Sequence, residues 1–393
     1  MLRRTRAILI AILTSPTILL LLYNRNLDPP FQHQVSAPAN STLGFGTILA
    51  VSRPHSRRQP GLLWAANLTD LEIVIPHQPE WTEAELDAFR LTSDSAISEG
   101  SARAWLGHLN ALRCFLDTGK ETALIIEDDV DFDLSIRSHQ IPLLAPVVRS
   151  LLSNTSSARS SVDERYWGDT NTWDILYPGH CDDALPSPPG DSSGNPTNPL
   201  LSHPHLFYPD PSIPPHTLLH PDTSNFLRAL RVPESTRILH RTFAPFCTFA
   251  YAVNRRSAER IVKEFSRERE GVEAFDVQLL KACGEGLRCF SVGPEIFHHA
   301  DGGSEIASVD RGVEGGVELV RDIEALRKGT WNLRCGARHG QLWVDEDDED
   351  GRARAKEVVM RMLERGAGEC PIDLVKAERS WKGCEWGECG AQS

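Results

Sequence analysis

Three consecutive carboxylates, Glu127-Asp128-Asp129, directly follow the apolar run Ala123-Leu124-Ile125-Ile126. A run of that kind forms a strand buried on both faces, and open α/β sheets bind ligands at the carboxyl ends of their strands. Acids crowded there repel one another unless a cation sits among them, and their hard oxygens suit Mn²⁺ or Mg²⁺ rather than zinc. A metal so held bridges two phosphates and offsets charge on a departing diphosphate. The plainer reading of such a triplet is an acidic loop with a helix cap, and only the position after a strand favours the metal. The longer run Asp345-Glu346-Asp347-Asp348-Glu349-Asp350 makes the contrast. It follows no apolar strand and is flanked by Gly351 and arginines, as a solvated surface segment would be.

Other chemistry is weakly supported. His203-Pro204-His205 has the spacing of a metal pair but lies in an irregular, proline-rich stretch. There is no Gly-x-Ser-x-Gly elbow and no CxxC pair with metal-site spacing. His108 shares a helical face with Trp105 and Leu109, the setting of a satisfied, partly buried histidine. A net charge of -13 argues against a nucleic-acid partner, because phosphate binding needs a basic face.

The elements that must position the triplet can be read from periodicity. Thr47 to Ser52 is a short apolar strand closed by the basic turn Arg53 to Arg58, and Leu71 to Ile75 is a second strand. Thr82 with Glu85 three residues on forms a capping box. Ser101 to Asp117 places Trp105, Leu109, Leu112 and Leu116 at helical spacing, and Gly119 is a reasonable stop. Strand, helix and strand at these lengths predict βαβ units and an α/β fold with a mostly parallel sheet. Further strands are expected at Trp173 to Tyr177, Phe246 to Val253 and Leu287 to Val292. Helices are expected after Asn254 and over about Val317 to Lys328 and Ala355 to Leu363.

The ends of the chain point to the secretory pathway. Arg3, Arg4 and Arg6 precede an apolar run from Ala7 to Tyr23, at the short end of a bilayer span. The positive-inside rule keeps the basic cluster cytoplasmic. The segment reads as an uncleaved signal anchor, with a cleaved signal peptide as the alternative. Asn40, Asn67 and Asn154 head glycosylation tripeptides. Nine cysteines in an oxidising compartment are expected to pair with one left over. Cys283 with Cys289, and two of Cys370, Cys384 and Cys389, are plausible bridges. The predicted organisation is a tail at 1–6, an anchor at 7–23, a stem at 24–43, a catalytic domain at 44–330 and a Cys-bearing acidic extension at 331–393. Residues 178–237 read as an irregular insertion within the domain.

In order along the chain, several blocks resemble glycosyltransferase family 25, which includes lipopolysaccharide and collagen galactosyltransferases. They are His108, Asp117-Thr118-Gly119-Lys120 with Ala123 to Val130, Trp173 to His180, Phe249 to Ala258, Phe275-Asp276-Val277, and Val292 to Ile306. The chain reads Ala50-Val51-Ser52-Arg53 where that family has Asn-Leu-Asp before its basic turn. The resemblance implies a Rossmann-type GT-A fold, Mn²⁺ (or Mg²⁺) and inverting transfer of a hexose, galactose first, from a UDP-sugar. The implied acceptor is a hydroxyl of a glycan or glycoprotein, and the implied place is the Golgi or endoplasmic reticulum membrane in type II orientation. Asp128 and Asp129 become metal ligands, with His298 (or its neighbour His299) completing the site. Ser52, Arg57, Arg58 and Glu127 become donor-binding residues. Asp276 is the candidate base for the acceptor hydroxyl, though a carboxylate there also serves as a helix cap or sugar ligand. Two other classes stay open: an inactive transferase-like binding protein, and a lumenal metal-dependent hydrolase.

Overall fold

The computed structural model describes residues 37–90, 97–155, 165–181, 183, 203–266, 273–300, 306, 309, 329–365 and 370. In chain order the strands and helices are β1 (Thr47–Val51), α1 (Gln59–Leu68), β2 (Ile73–Val74), α2 (Glu83–Phe89), α3 (Glu99–Asp117), β3 (Thr122–Glu127), β4 (Val130–Phe132), α4 (Ile141–Thr155) and β5 (Ile175–Gly179). There follow β6 (His205–Pro209), α5 (Pro221–Ala229), β7 (Thr236–Thr242), β8 (Ala250–Asn254), α6 (Arg255–Arg260), α7 (Phe275–Glu285), β9 (Cys289–Gly293), β10 (Phe297–His299) and α8 (Glu349–Arg365). An eight-stranded sheet runs in the order β2-β1-β3-β8-β5-β9-β7-β6, and β10 pairs with β4 in a separate ribbon. Strands β2, β1, β3, β5, β9 and β6 point one way, and β8 and β7 run against them.

Both faces of this sheet are covered, which is why its central strands are apolar throughout. The pleat divides β3 between two cores. Leu124 and Ile126 join Trp64 of α1, Leu144 of α4 and Val359 of α8 on one face. Ala123 and Ile125 join Trp105 and Leu109 of α3 and Leu279 of α7 on the other. Local signals held: Thr82 and Glu85 make the reciprocal capping box of α2. Gly119, just past α3, has φ +70°, a conformation that glycine reaches without a Cβ clash.

Three boundaries move. Ala39 and Leu43, expected in the stem, are buried, and the Leu43 carbonyl accepts a hydrogen bond from Trp167 Nε1 at 3.0 Å. The folded unit therefore begins before residue 44. The stretch 178–237 is not irregular throughout: β6, α5 and the start of β7 lie in it and extend the sheet past β9. The segment after residue 330 is part of the same unit. Gly336 bridges to Asp133, and Trp64 Nε1 donates to the Leu342 carbonyl at 2.7 Å. The acidic run 345–350 is exposed, as expected, and its last residues open α8, where carboxylates favour the helix N-terminus.

Among the described residues no helix is long and apolar enough to cross a membrane. The expected tail and anchor, the helix at Val317 to Lys328, and Ser304-Glu305 lie outside those residues. Cys283 and Cys289 are bonded as expected, but Cys370 pairs with Cys335 rather than with Cys384 or Cys389. A third bridge joins Cys181 to Cys247.

The Cys181–Cys247 bridge spans 66 residues against 6 for Cys283–Cys289. Loop entropy makes removal of the long bridge costlier by about 2 kcal/mol. Denaturant midpoints of the two paired Cys→Ser variants check this, and equal midpoints would count against it.

Candidate active site

The chain leaves β1 through α1 to pair β2 on one side, then returns through α2 and α3 to place β3 on the other. Helices α1 and α3 lie on opposite faces, so the carboxyl ends of β1 and β3 part at a topological switch point, where such sheets bind ligands. Ser52 follows β1 there, and Glu127-Asp128-Asp129 ends β3 beside it.

The structure brings four of the expected residues together on the α1 side. Ser52 Oγ donates to Asp128 Oδ2 at 2.6 Å and accepts from Gln59 Nε2 at 2.9 Å. Arg58 Nη1 donates to Asp129 Oδ2 at 3.1 Å and lies 3.6 Å from Asp128 Oδ1. One guanidinium thus bridges both aspartates. Arg57, expected to bind the donor with Arg58, is exposed. Arg338, which the sequence did not single out, closes the site from below. Its Nη1 donates to the carbonyls of Asp128 at 2.8 Å and Val130 at 3.0 Å.

Even with two arginines nearby the site is short of positive charge. Burial, with the charges of Glu127 and Asp128 adding to it, pushes the Asp129 carboxyl up to about 7, against the pull of Arg58 and Arg338. Asp129 Oδ1 is buried and has no hydrogen-bond partner. Among the described residues no three His, Cys, Asp or Glu are grouped to hold a metal. Two carboxylates are what Mg²⁺-type sites commonly take from protein, with phosphate and water supplying the remaining oxygens. The orphaned oxygen and the bridged pair of acids fit a hard divalent ion.

Glu127 faces the other way. Its Oε1 accepts from Thr248 Oγ1 at 2.7 Å and lies 3.6 Å from His108 Nε2. The His108 ring stacks on Phe275 at 4.4 Å, and its Nδ1 meets the Tyr251 hydroxyl at 3.2 Å. His108 is therefore a satisfied, buried histidine that also positions Glu127. Burial pushes the Glu127 carboxyl up, but the His108 bond and charge, with Thr248, hold it below the usual range. Asp276 follows Phe275 in the first turn of α7, and its Oδ1 accepts from the Val277 N–H at 2.8 Å. Burial first, with the nearby Glu127 charge, raises its carboxyl above the ordinary aspartate range.

His298 lies on β10, whose partner β4 begins just after the acid turn, and the Ala300 N–H donates to the Asp129 carbonyl at 2.9 Å. Its Nδ1 pairs with Glu295 Oε1 at 3.0 Å, while Nε2 is buried without a partner. A carboxylate behind one ring nitrogen and a free second nitrogen is the arrangement of a metal-ligating histidine. His299, the alternative, rests its ring on Phe249 at 4.8 Å.

Sequence reading missed Gln59, Thr248, Glu295 and Arg338. Gln59 sits next to Arg58, which it did name, and Glu295 lies inside the block Val292 to Ile306 without being singled out. Arg338 lies 210 residues from the carbonyl it binds, and no local pattern marks it. Compared with known proteins, the chain matches no protein-family model and no curated sequence, so its site is interpretable only through its own geometry.

Proposed function

We propose that the protein is a metal-dependent glycosyltransferase of GT-A type, transferring a hexose, galactose first, from a UDP-sugar to a hydroxyl of a glycan or glycoprotein. The observation that carries this is the acid turn at the switch point, where Asp128 and Asp129 share one arginine and Asp129 keeps an orphaned, buried oxygen. The mixed order of the sheet, with β8 reversed between β3 and β5, supports the same reading.

Asp128 and Asp129 would hold Mn²⁺ or Mg²⁺, with phosphate and water as the remaining ligands; His298, expected to complete the set, is not grouped with them among the described residues. The ion, when bound, neutralises charge on the leaving diphosphate. Ser52, fixed by Gln59, keeps Asp128 in one rotamer, so the site is pre-organised. Arg58 offers its guanidinium to the diphosphate once a cation takes over the aspartates. Glu127, locked by Thr248 and His108, stands where it can accept hydrogen bonds from the donor sugar's hydroxyls. Asp276 takes the proton from the attacking acceptor hydroxyl, and its raised proton affinity suits that role. The membrane anchor at 7–23 and a Golgi or endoplasmic reticulum location complete the proposal.

The first test is UDP release from a panel of UDP-sugars, with Mn²⁺ and with chelator. Metal-dependent turnover of one donor is expected. Absence of both turnover and Mn²⁺-dependent UDP binding would turn the reading toward an inactive binding protein.

Asp276→Asn is expected to lower transfer about 10²- to 10³-fold while UDP binding persists. A base must be deprotonated, so activity falls as pH drops through its pKa. The acid limb of the pH–rate profile therefore lies above the ordinary aspartate range, and Glu127→Gln moves it down by removing a like charge. Wild-type turnover by Asp276→Asn would place the base elsewhere.

A further inference from the structure

Past the carboxyl end of β9, Glu295 belongs to a second constellation that extends beyond its contact with His298. Glu295 follows β9 and is 1% exposed. Its Oε1 accepts from Asn332 Nδ2 at 2.6 Å and from Thr223 Oγ1 at 3.4 Å, besides the contact with His298. Its Oε2 is buried and without a hydrogen-bond partner. A buried carboxylate oxygen left unpaired costs free energy unless something supplies a donor.

Asn332 is the hub of this cluster. Its Nδ2 also donates to Thr223 Oγ1 at 3.0 Å, and its Oδ1 accepts from the His220 N–H at 2.8 Å. It does so at φ +64°, a left-handed conformation that an asparagine tolerates at some cost. What this anchorage achieves is to fix Trp331, its neighbour, at the surface. Trp331 is 38% exposed and meets the half-buried His220 ring edge-on at 5.8 Å. The His220 ring is in turn 5.8 Å from His298, whose backbone belongs to the ribbon beside the acid turn. Asp222 adds an exposed carboxylate 3.6 Å from His220 Nδ1.

An exposed indole, a half-buried imidazole and a carboxylate oxygen in want of a donor are complementary to one ligand class. A pyranose offers an apolar C–H face to an aromatic ring and a girdle of hydroxyl donors to carboxylates. Charged ligands fit less well. The carboxylates disfavour an anion, and a cation would have to leave water for a buried atom.

Resting on the transferase reading, we propose that Trp331, His220 and Glu295 form the acceptor subsite, and that it takes a neutral hexose ring of a glycan rather than a peptide hydroxyl. The indole supplies the stacking face, and the unpartnered Glu295 Oε2 accepts a ring hydroxyl. Strands β3 and β9 point the same way, so Glu295 after β9 and the acid turn after β3 lie at the same edge of the sheet.

The test is saturation-transfer NMR on the full chain in detergent, using methyl α- and β-hexosides of several configurations. Saturation of one hexoside's ring protons is expected, weakened about tenfold in affinity by Trp331→Ala and restored by Trp331→Phe. Because Trp331 is exposed, thermal melting of the alanine variant is expected to match wild type, and Glu295→Gln provides a second, isosteric probe that weakens the same hexoside. Hexoside binding that is absent, or indifferent to Trp331 and Glu295, overturns the subsite. Donor turnover by the wild type separates the two claims. UDP release without hexoside binding removes the subsite alone. Hexoside binding without UDP release strikes the transferase reading, and with it the subsite's role as acceptor site.

Discussion

Asp129→Asn and Asp128→Asn are each expected to lower metal-dependent UDP release by more than about 10³-fold, because each removes charge from the acid pair at the switch point. The two variants differ in what else they do. Asp128 is buried and takes the Ser52 hydroxyl at 2.6 Å, so its asparagine also disturbs the Ser52–Gln59 contact. Asp129 has an orphaned oxygen and a proton affinity raised by burial, so in the metal-free protein its charge is a burden on the fold. With a folded pKa of about 7, above the unfolded value near 4, the folded state binds more protons across that interval. The metal-free wild type therefore loses stability as pH rises from about 4 to 7, and Asp129→Asn lacks that slope. At pH 8 the variant is expected to melt no lower than wild type while releasing no UDP. Melting curves across pH, paired with UDP release, check both halves. A variant that loses both fold and activity would make Asp129 a structural acid. One that keeps both would remove the metal-site assignment.

Lost activity with retained stability is the result that would distinguish this acid turn from an ordinary acidic loop. In the sequence the two are told apart only by what precedes them. Ala123 to Ile126 is apolar at every position because helices cover both faces of β3, and that makes the strand, and hence the place of the triplet, legible. The same reasoning exposed β1 and β8, and helical spacing exposed α3. It failed on β6 because an edge strand pairs on one side only and buries little. His205 to Pro209 is buried only at Tyr208, and its composition merges with the proline-rich stretch around it. Helix α5 opens with Pro221, a good first-turn residue, but the helix is short and its apolar face is narrow. Arg338, Thr248 and Glu295 were invisible for a different reason. Most of their partners are far away in the chain, and no periodicity or spacing encodes such contacts.

Arg237→Met is expected to destabilise the protein by about 3–5 kcal/mol, the cost of leaving a buried charge without its partner. Arg237 and Asp210 are both wholly buried, with Nε 2.6 Å from Oδ2. Asp210 also accepts from Ser212 N and Oγ at 2.8 Å and 2.6 Å, so the carboxylate cannot turn to water when the arginine goes. Burial alone would raise the Asp210 carboxyl, but Arg237, with His139 and Ser212, holds it far below the usual range. Stability from a depressed carboxylate is present above the unfolded pKa and is lost as pH falls toward the folded value. The gap between wild type and Arg237→Met is therefore widest near neutral pH and narrows on acidification, as Asp210 of the variant takes up a proton. Adding Asp210→Asn to Arg237→Met should recover much of the loss, since an uncharged pair replaces a stranded charge. Denaturant titrations of the single and double variants at pH 7 and pH 4 check this. Additive losses at both pH values would mean that the two residues act independently. The consequence reaches the site as well. Arg237 Nη1 also donates to the carbonyls of Pro294 and Glu295 (the latter at 3.1 Å), so the stretch once read as an irregular insertion holds the turn that presents Glu295 to His298.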